Sequence, residues 1–109
     1  MKLDLPAMHA AADEASELLK SLANRHRLLI LCQLLEGERS VGELVAFLGI
    51  RDTVVSQHLA LLRKDGLVAA RREGQTIRYA IASAPAEAIL AALAGIYCTE
   101  EATCLTAPT

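Results

Sequence analysis

The sequence predicts a mainly α-helical domain carrying one small β-hairpin, in the order α-α-α-α-β-β-α. Three observations lead there. Apolar residues recur at helical spacing in five stretches, a capping box and several glycines punctuate them, and one stretch alternates as a strand does. At 109 residues, residues 1–109 are expected to form a single domain.

The composition is 53% hydrophobic with no Trp and one Phe, so the core is expected to be aliphatic. No apolar run approaches the ~18 residues of a membrane span. The start, Met1-Lys2-Leu3-Asp4-Leu5-Pro6, lacks the apolar centre of a signal peptide. The expectation is a cytoplasmic protein with no membrane partner. There, three cysteines argue against a structural disulfide framework. The net charge is −2, but residues 51–80 carry six cations against three anions, a balance of +3. The rest of the chain carries five against ten, a balance of −5. A basic face on an acidic body suits DNA contact while discouraging indiscriminate binding.

Residues 1–7 are expected to be a loose, flexible arm. A first helix follows from about Met8 to Leu22, with Ala11, Ala15, Leu18, Leu19 and Leu22 on one face and Asp13, Glu14 and Glu17 on another. A second runs from about Arg25 to Glu36. Leu28, Leu31, Cys32 and Leu35 share its stripe, and Gly37 ends it. Ser40-Val41-Gly42-Glu43 has the form of a capping box. The third, short helix behind it buries Val41, Leu44, Val45 and Leu48 and closes at Gly49.

The fourth helix occupies residues 51–66, with Asp52 or Thr53 as its cap and Gly66 as its stop. Val55, Leu59 and Leu62 repeat at i, i+4, i+7 and form its apolar stripe. The opposite face carries Thr53, Ser56, Gln57, Ala60, Arg63 and Lys64. Short hydrogen-bonding side chains near the start suit base edges, Ser56 and Gln57 above all. Cations further along suit phosphates. Two helices joined by a tight Gly turn, the second with such a face, suggest a helix-turn-helix.

Leu67 to Arg72 and Gln75 to Ile81 read as the two strands of a hairpin, with Glu73-Gly74 as the turn and Ile77, Tyr79 and Ile81 on one face. Directly after a DNA-reading helix, a hairpin with a basic tip is a wing. On a bare hairpin, Arg71 and Arg72 would only protect an edge. The last helix starts at Ser83-Ala84-Pro85 and reaches Tyr97 or Cys98. Ile89, Leu90, Leu93, Ile96 and Tyr97 make a broad apolar face with no charge after Glu87. Such a helix is expected to pack on its own domain and on a second copy, most simply as a two-fold homodimer. Residues 99–109 are expected to be a flexible tail.

Taken together, these residues resemble the ArsR/SmtB-type winged-helix repressors. The resemblance rests on Leu22-Ala23-Asn24-Arg25-His26-Arg27-Leu28, on Val55-Ser56-Gln57-His58-Leu59, and on Leu62-Arg63 with Asp65-Gly66-Leu67-Val68. Arg72-Glu73-Gly74-Gln75 and Arg78-Tyr79 fit the family's wing, and the likeness covers about residues 10–98. It implies a homodimer joined through its first and last helices, bound to palindromic double-stranded operator DNA and released by an inducer. With the polar face of the fourth helix and the basic hairpin, the residues expected to bind DNA are Thr53, Ser56, Gln57, His58 and Arg63 on the fourth helix, with Arg71, Arg72 and Gln75 on the wing. His58 flanks the apolar stripe, so a structural role stands beside the DNA role.

The family's metal sensors typically place a Cys-containing motif in the third helix, or Asp and His ligands along the last. Here the third reads Ser-Val-Gly-Glu-Leu-Val, and the last has neither His nor Asp. His9, His26 and His58 have no partners at ligand spacing, so no metal site and no cofactor are expected. Cys32 and Cys98, 66 positions apart, resemble the dithiol of the persulfide-responsive BigR/SqrR branch. That likeness implies a redox switch in which a disulfide or polysulfide link, made in response to persulfide or sulfide, releases the operator. Apolar company at Cys32, and a helix C-terminus with Glu100 and Glu101 at Cys98, both disfavour thiolates. That is poor for scavenging dilute peroxide and suits a more reactive persulfide. The alternative is arsenite or another soft metal held by Cys98 and Cys104, with or without Cys32. No Cys-x-x-Cys, phosphate loop or acid–base pair points to an enzyme.

Overall fold

The computed structural model describes residues 3–98. Its elements are α1 (Leu5–Leu22), α2 (Arg25–Leu34), β1 (Arg39–Ser40), α3 (Val41–Leu48), α4 (Asp52–Lys64), β2 (Val68–Glu73), β3 (Thr76–Ile81) and α5 (Ala84–Tyr97). The five helices and the hairpin fall where the sequence places them, and the architecture is a winged helix-turn-helix. The ends differ in instructive ways.

The segment expected to be a loose arm is helical from Leu5. The Asp4 carboxylate accepts from the Ala7 N–H at 3.1 Å, and Pro6 sits in the first turn, where it costs no helix hydrogen bond. Neither Asp52 nor Thr53 caps α4. Arg51 is the N-cap and makes no side-chain cap bond, so Asp52 begins the helix and meets its positive end instead. The tail from residue 99, expected to be flexible, lies outside the described residues, as does Cys104.

The capping box forms as its spacing requires. Ser40 Oγ accepts from the Glu43 N–H at 3.2 Å, and Glu43 accepts from the Ser40 N–H at 2.9 Å. Gly49 adopts φ +67°, a left-handed turn that a side chain would strain. Here α3 stops, and α4 leaves at an angle of 119°. That is the geometry of a helix-turn-helix. The wing turn lies one residue later than the sequence suggests. Glu73 pairs with Thr76, so Gly74-Gln75 is the two-residue loop, with Gly74 at φ +63°.

The structure adds a third strand. Arg39 and Ser40 pair with Tyr79 and Arg78, giving an antiparallel sheet of order β1-β3-β2. β3 is therefore held on both edges. Tyr79 and Ile81 pack against the core, while Ile77, on the same face, lies beyond it and stays exposed.

One aliphatic core joins all five helices to the base of the wing. Leu22 enters from α1, Ile30 and Leu31 from α2, Leu44 from α3, and Leu90 from α5, beside Leu67 and Val68. Val55, Leu59 and Leu62 of α4 are completely buried. Fully burying such side chains stabilises by about 1.5–3 kcal/mol each, so this stripe fixes the rotation of α4 about its axis. No single described helix is long and apolar enough to cross a membrane.

Candidate nucleic-acid interface and the cysteine pair

With one stripe of α4 locked inward, helical geometry decides where its other residues stand. Thr53, Gln57, Ala60 and Lys64 lie opposite the stripe, and all are exposed. Ser56 and Arg63 are also exposed, on the flank facing the wing. His58 lies on the other flank, toward α2. It is half-buried, and its ring stands 5.7 Å from that of His26. Its Nδ1 is sealed in with no hydrogen-bond partner. Burial, then Arg27, then His26 push its pKa below the ordinary value. Of its two sequence-based roles, the surroundings of His58 match the structural one.

The wing's charges sort into two groups. Arg71 donates through Nε and Nη2 to the two oxygens of Glu38, at 3.1 and 2.6 Å, and lies 3.6 Å from Glu73. The pairing raises the Arg71 pKa and holds the Glu38 carboxyl below its usual range, chiefly through the Arg71 hydrogen bond. Arg78 is more buried, between Glu43 at 3.3 Å, Glu38 at 3.7 Å and Glu73 at 3.9 Å. The Glu43 carboxyl is also held low, first by the Ser40 N–H and then by Arg78 and Arg39. Arg72 instead donates to the Gly74 carbonyl at 3.1 Å and makes no ion pair among the described residues. The same freedom from carboxylates holds for Arg51, Arg63 and Lys64. Within the basic segment, the cations left for a polyanion are therefore Arg51 at the N-cap of α4, Arg63 and Lys64 on α4, and Arg72 at the wing tip. Gln75 stands beside Arg72 in the turn and is exposed.

Sequence reasoning missed two partners here. Glu38 and Glu43 lie outside the basic segment, yet the fold brings them under the wing. It also missed that Tyr79, read as a strand-face and wing residue, joins Ser56, Leu59, Ala60, Arg63 and Lys64 around a cleft of about 450 Å³ between α4 and β3.

Cys32, on the helix that supports α4, is a half-buried free thiol packed against the core. Burial pushes its pKa up, as its apolar company predicts. Cys98 closes α5 as its C-cap. It is disulfide-bonded, and not to Cys32. Among the described residues, no three His, Cys, Asp or Glu side chains cluster to hold a metal.

Comparison with known proteins matches residues 24–70 to the bacterial regulatory protein, arsR family. That span runs from the N-cap of α2 to the first half of β2. The transcriptional activator HlyU of Vibrio cholerae is 45% identical over 96 residues, 88% of this chain and 89% of HlyU. The biofilm growth-associated repressor of Agrobacterium fabrum is 45% identical over 100 residues, 92% of this chain and 86% of its own. The crystal structure of the transcriptional repressor BigR from Xylella fastidiosa superposes with a TM-score of 0.83 at 39% identity. That superposition covers 90% of this chain and all of the other.

Proposed function

Because the chain belongs to the ArsR family of bacterial regulatory proteins, whose members here are DNA-binding transcriptional regulators and not enzymes, we propose that it is a homodimeric repressor with a dithiol switch. Thr53, Gln57 and Ser56 face the operator's bases and backbone, and Arg63, Arg72 and Gln75 face its phosphates. Arg71 adds to the field only as far as Glu38 leaves it free. Linking Cys32 to Cys98 lowers operator affinity.

The observation that carries the switch is where the two cysteines lie. Cys32 is a free thiol on α2, and α2 packs on α4. Cys98 ends α5, whose last turn exposes Ile96 and Tyr97 at 69% and 75%. Apolar side chains that exposed, at the end of a helix with no charge after Glu87, suit an interface with a second copy. A link between the two cysteines thus joins the support of the DNA-reading helix to the part that sets the spacing between subunits. The expected coupling is of ordinary allosteric size, about 1–3 kcal/mol.

Once the disulfide at Cys98 has been reduced, the chemistry balances with a persulfide, R–S–SH, acting on the Cys32 and Cys98 thiols. One thiolate attacks the outer sulfur and expels R–SH, leaving a cysteine persulfide. The second thiolate attacks the protein-bound sulfur of that persulfide and expels hydrogen sulfide. The protein is oxidised by two electrons and the persulfide is reduced. A second persulfide molecule, reduced in the same way, closes a three-sulfur bridge instead. A direct disulfide needs α-carbons within about 7 Å. A longer bridge relaxes that limit.

The test is intact-protein mass spectrometry with operator titration, on protein first reduced and then treated with a low-molecular-weight persulfide. Loss of two hydrogens or gain of sulfur should accompany loss of operator binding. It should be absent in Cys32→Ser and Cys98→Ser, and kept in Cys104→Ser. A Cys98→Ser protein that persulfide still releases from DNA would overturn the mechanism. Retention of arsenite that depends on Cys104 would favour the soft-metal alternative.

A further inference from the structure

We infer that the cleft between α4 and β3 is a seat for one DNA backbone phosphate, in which the Tyr79 hydroxyl donates to a phosphate oxygen beside Ser56 and Arg63. The inference rests on the DNA-binding reading and assigns a residue to it that the sequence pattern does not.

Four observations carry it. The cleft is lined by Ser56, Arg63, Lys64 and Tyr79 over a floor of Leu59 and Ala60, so every polar group in it is a donor or a cation and none is a carboxylate. Arg63 and Lys64 make no ion pair among the described residues. The Tyr79 hydroxyl makes no hydrogen bond among the described residues and is not sealed from solvent. Tyr79 is held rigidly. It pairs with Ala70 on one side and Arg39 on the other, and its ring packs on the core. A fixed phenol donor, a hydroxyl, a guanidinium fork and an ammonium around one concavity match the several acceptor oxygens of a phosphodiester.

The seat bridges the recognition helix and the wing. Gripping one phosphate from both sides sets the angle at which α4 enters the groove, so that Thr53 and Gln57 meet base edges. Phosphate contacts set register and carry no sequence information directly. Ser56, on the wing-facing flank, belongs to this group, and base reading falls to Thr53 and Gln57.

Tyr79→Phe tests this, because it keeps the packing ring and removes only the donor. Affinity should fall about tenfold on operator and on unrelated duplex alike. The salt dependence should not change, because no charge is lost. Ser56→Ala should act in the same way. Arg63→Gln should reduce the salt slope by about one. On operators carrying a neutral methylphosphonate at single positions, one position per half-site should erase the difference between wild type and Tyr79→Phe. Wild-type affinity in Tyr79→Phe on both duplexes would overturn the seat while leaving DNA binding intact. A change in preference at one base pair would overturn it in favour of base reading. No operator binding by the wild type would bring down the DNA reading itself, and the seat with it.

Discussion

The imidazole of His58 on α4 meets that of His26 on α2 edge-on, with ring centroids 5.7 Å apart and planes at 72°. Nδ1 of His58 has no partner there. A proton arriving at His58 must overcome burial first, then the charges of Arg27 and His26, so its folded pKa lies below the ordinary 6.5. The unfolded chain therefore binds more protons than the folded one between those two values, and stability rises with pH across that window. The contribution is whole above about 6.5 and is lost as pH falls from there to the depressed folded value. Melting temperatures measured from about pH 8 down to about pH 5.5 should decline in the wild type and decline less in His58→Leu. Parallel curves would show that the pair carries no such linkage.

A second prediction concerns the Glu38–Arg71 bridge, whose 2.6 Å contact ties β2 to the residue before β1. Both groups are well exposed, so little stability rides on it. Its effect should appear in DNA binding, because Glu38 offsets cations that would otherwise meet phosphates. Glu38→Gln should strengthen binding to unrelated duplex and steepen the salt dependence by about one charge. Specific binding should gain no more than non-specific binding does. An unchanged salt slope in a titration at several salt concentrations would mean that Arg71 and Arg78 stay out of reach of DNA.

What can be read in advance follows from how local each interaction is. The capping box of Ser40 and Glu43 lies within four residues, and the stripe of Val55, Leu59 and Leu62 within eight, so sequence spacing alone reveals them. The Arg71–Glu38 bridge spans 33 residues and Arg78–Glu43 spans 35. Nothing in either neighbourhood announces its partner, and a charge count by segment overstates the basic field. β1 escapes for another reason. Two residues cannot show alternation, and Arg39-Ser40 is a strand only because β3 offers it an edge. Alternation places Tyr79 on the right face, but its hydroxyl gains meaning only once α4 is seen across the cleft.

The dimer makes a third prediction. Leu19 on α1 is 55% exposed, while Ile96 and Tyr97 on α5 are more exposed still. None of these three side chains supports the protomer core, so charging one should leave the fold intact. Ile96→Glu should shift the protein toward monomer in sedimentation velocity with little change in far-ultraviolet dichroism. Operator affinity should then fall steeply, because two recognition helices no longer reach half-sites ~34 Å apart as one body. A monomeric variant that kept full operator affinity would contradict the arrangement.

The last prediction separates reading from holding within the interface. Gln57 projects from the face of α4 opposite the buried stripe, where a side-chain amide can make a bidentate pair with adenine. Gln57→Ala should therefore cost about 1–3 kcal/mol at one base pair of each half-site and little at the others. Arg72 is different. Its guanidinium lies at the wing tip, tethered to the Gly74 carbonyl and free of carboxylates among the described residues. A cation so placed meets the backbone whatever the bases are. Arg72→Ala should weaken all duplexes by a similar factor and flatten the salt dependence by about one charge. Measuring both variants against a panel of single-base operator changes at fixed salt, and then against a salt series, resolves the two behaviours. If Gln57→Ala lowered every affinity equally, or Arg72→Ala altered preference at one position, the assignment of helix to bases and wing tip to backbone would be wrong.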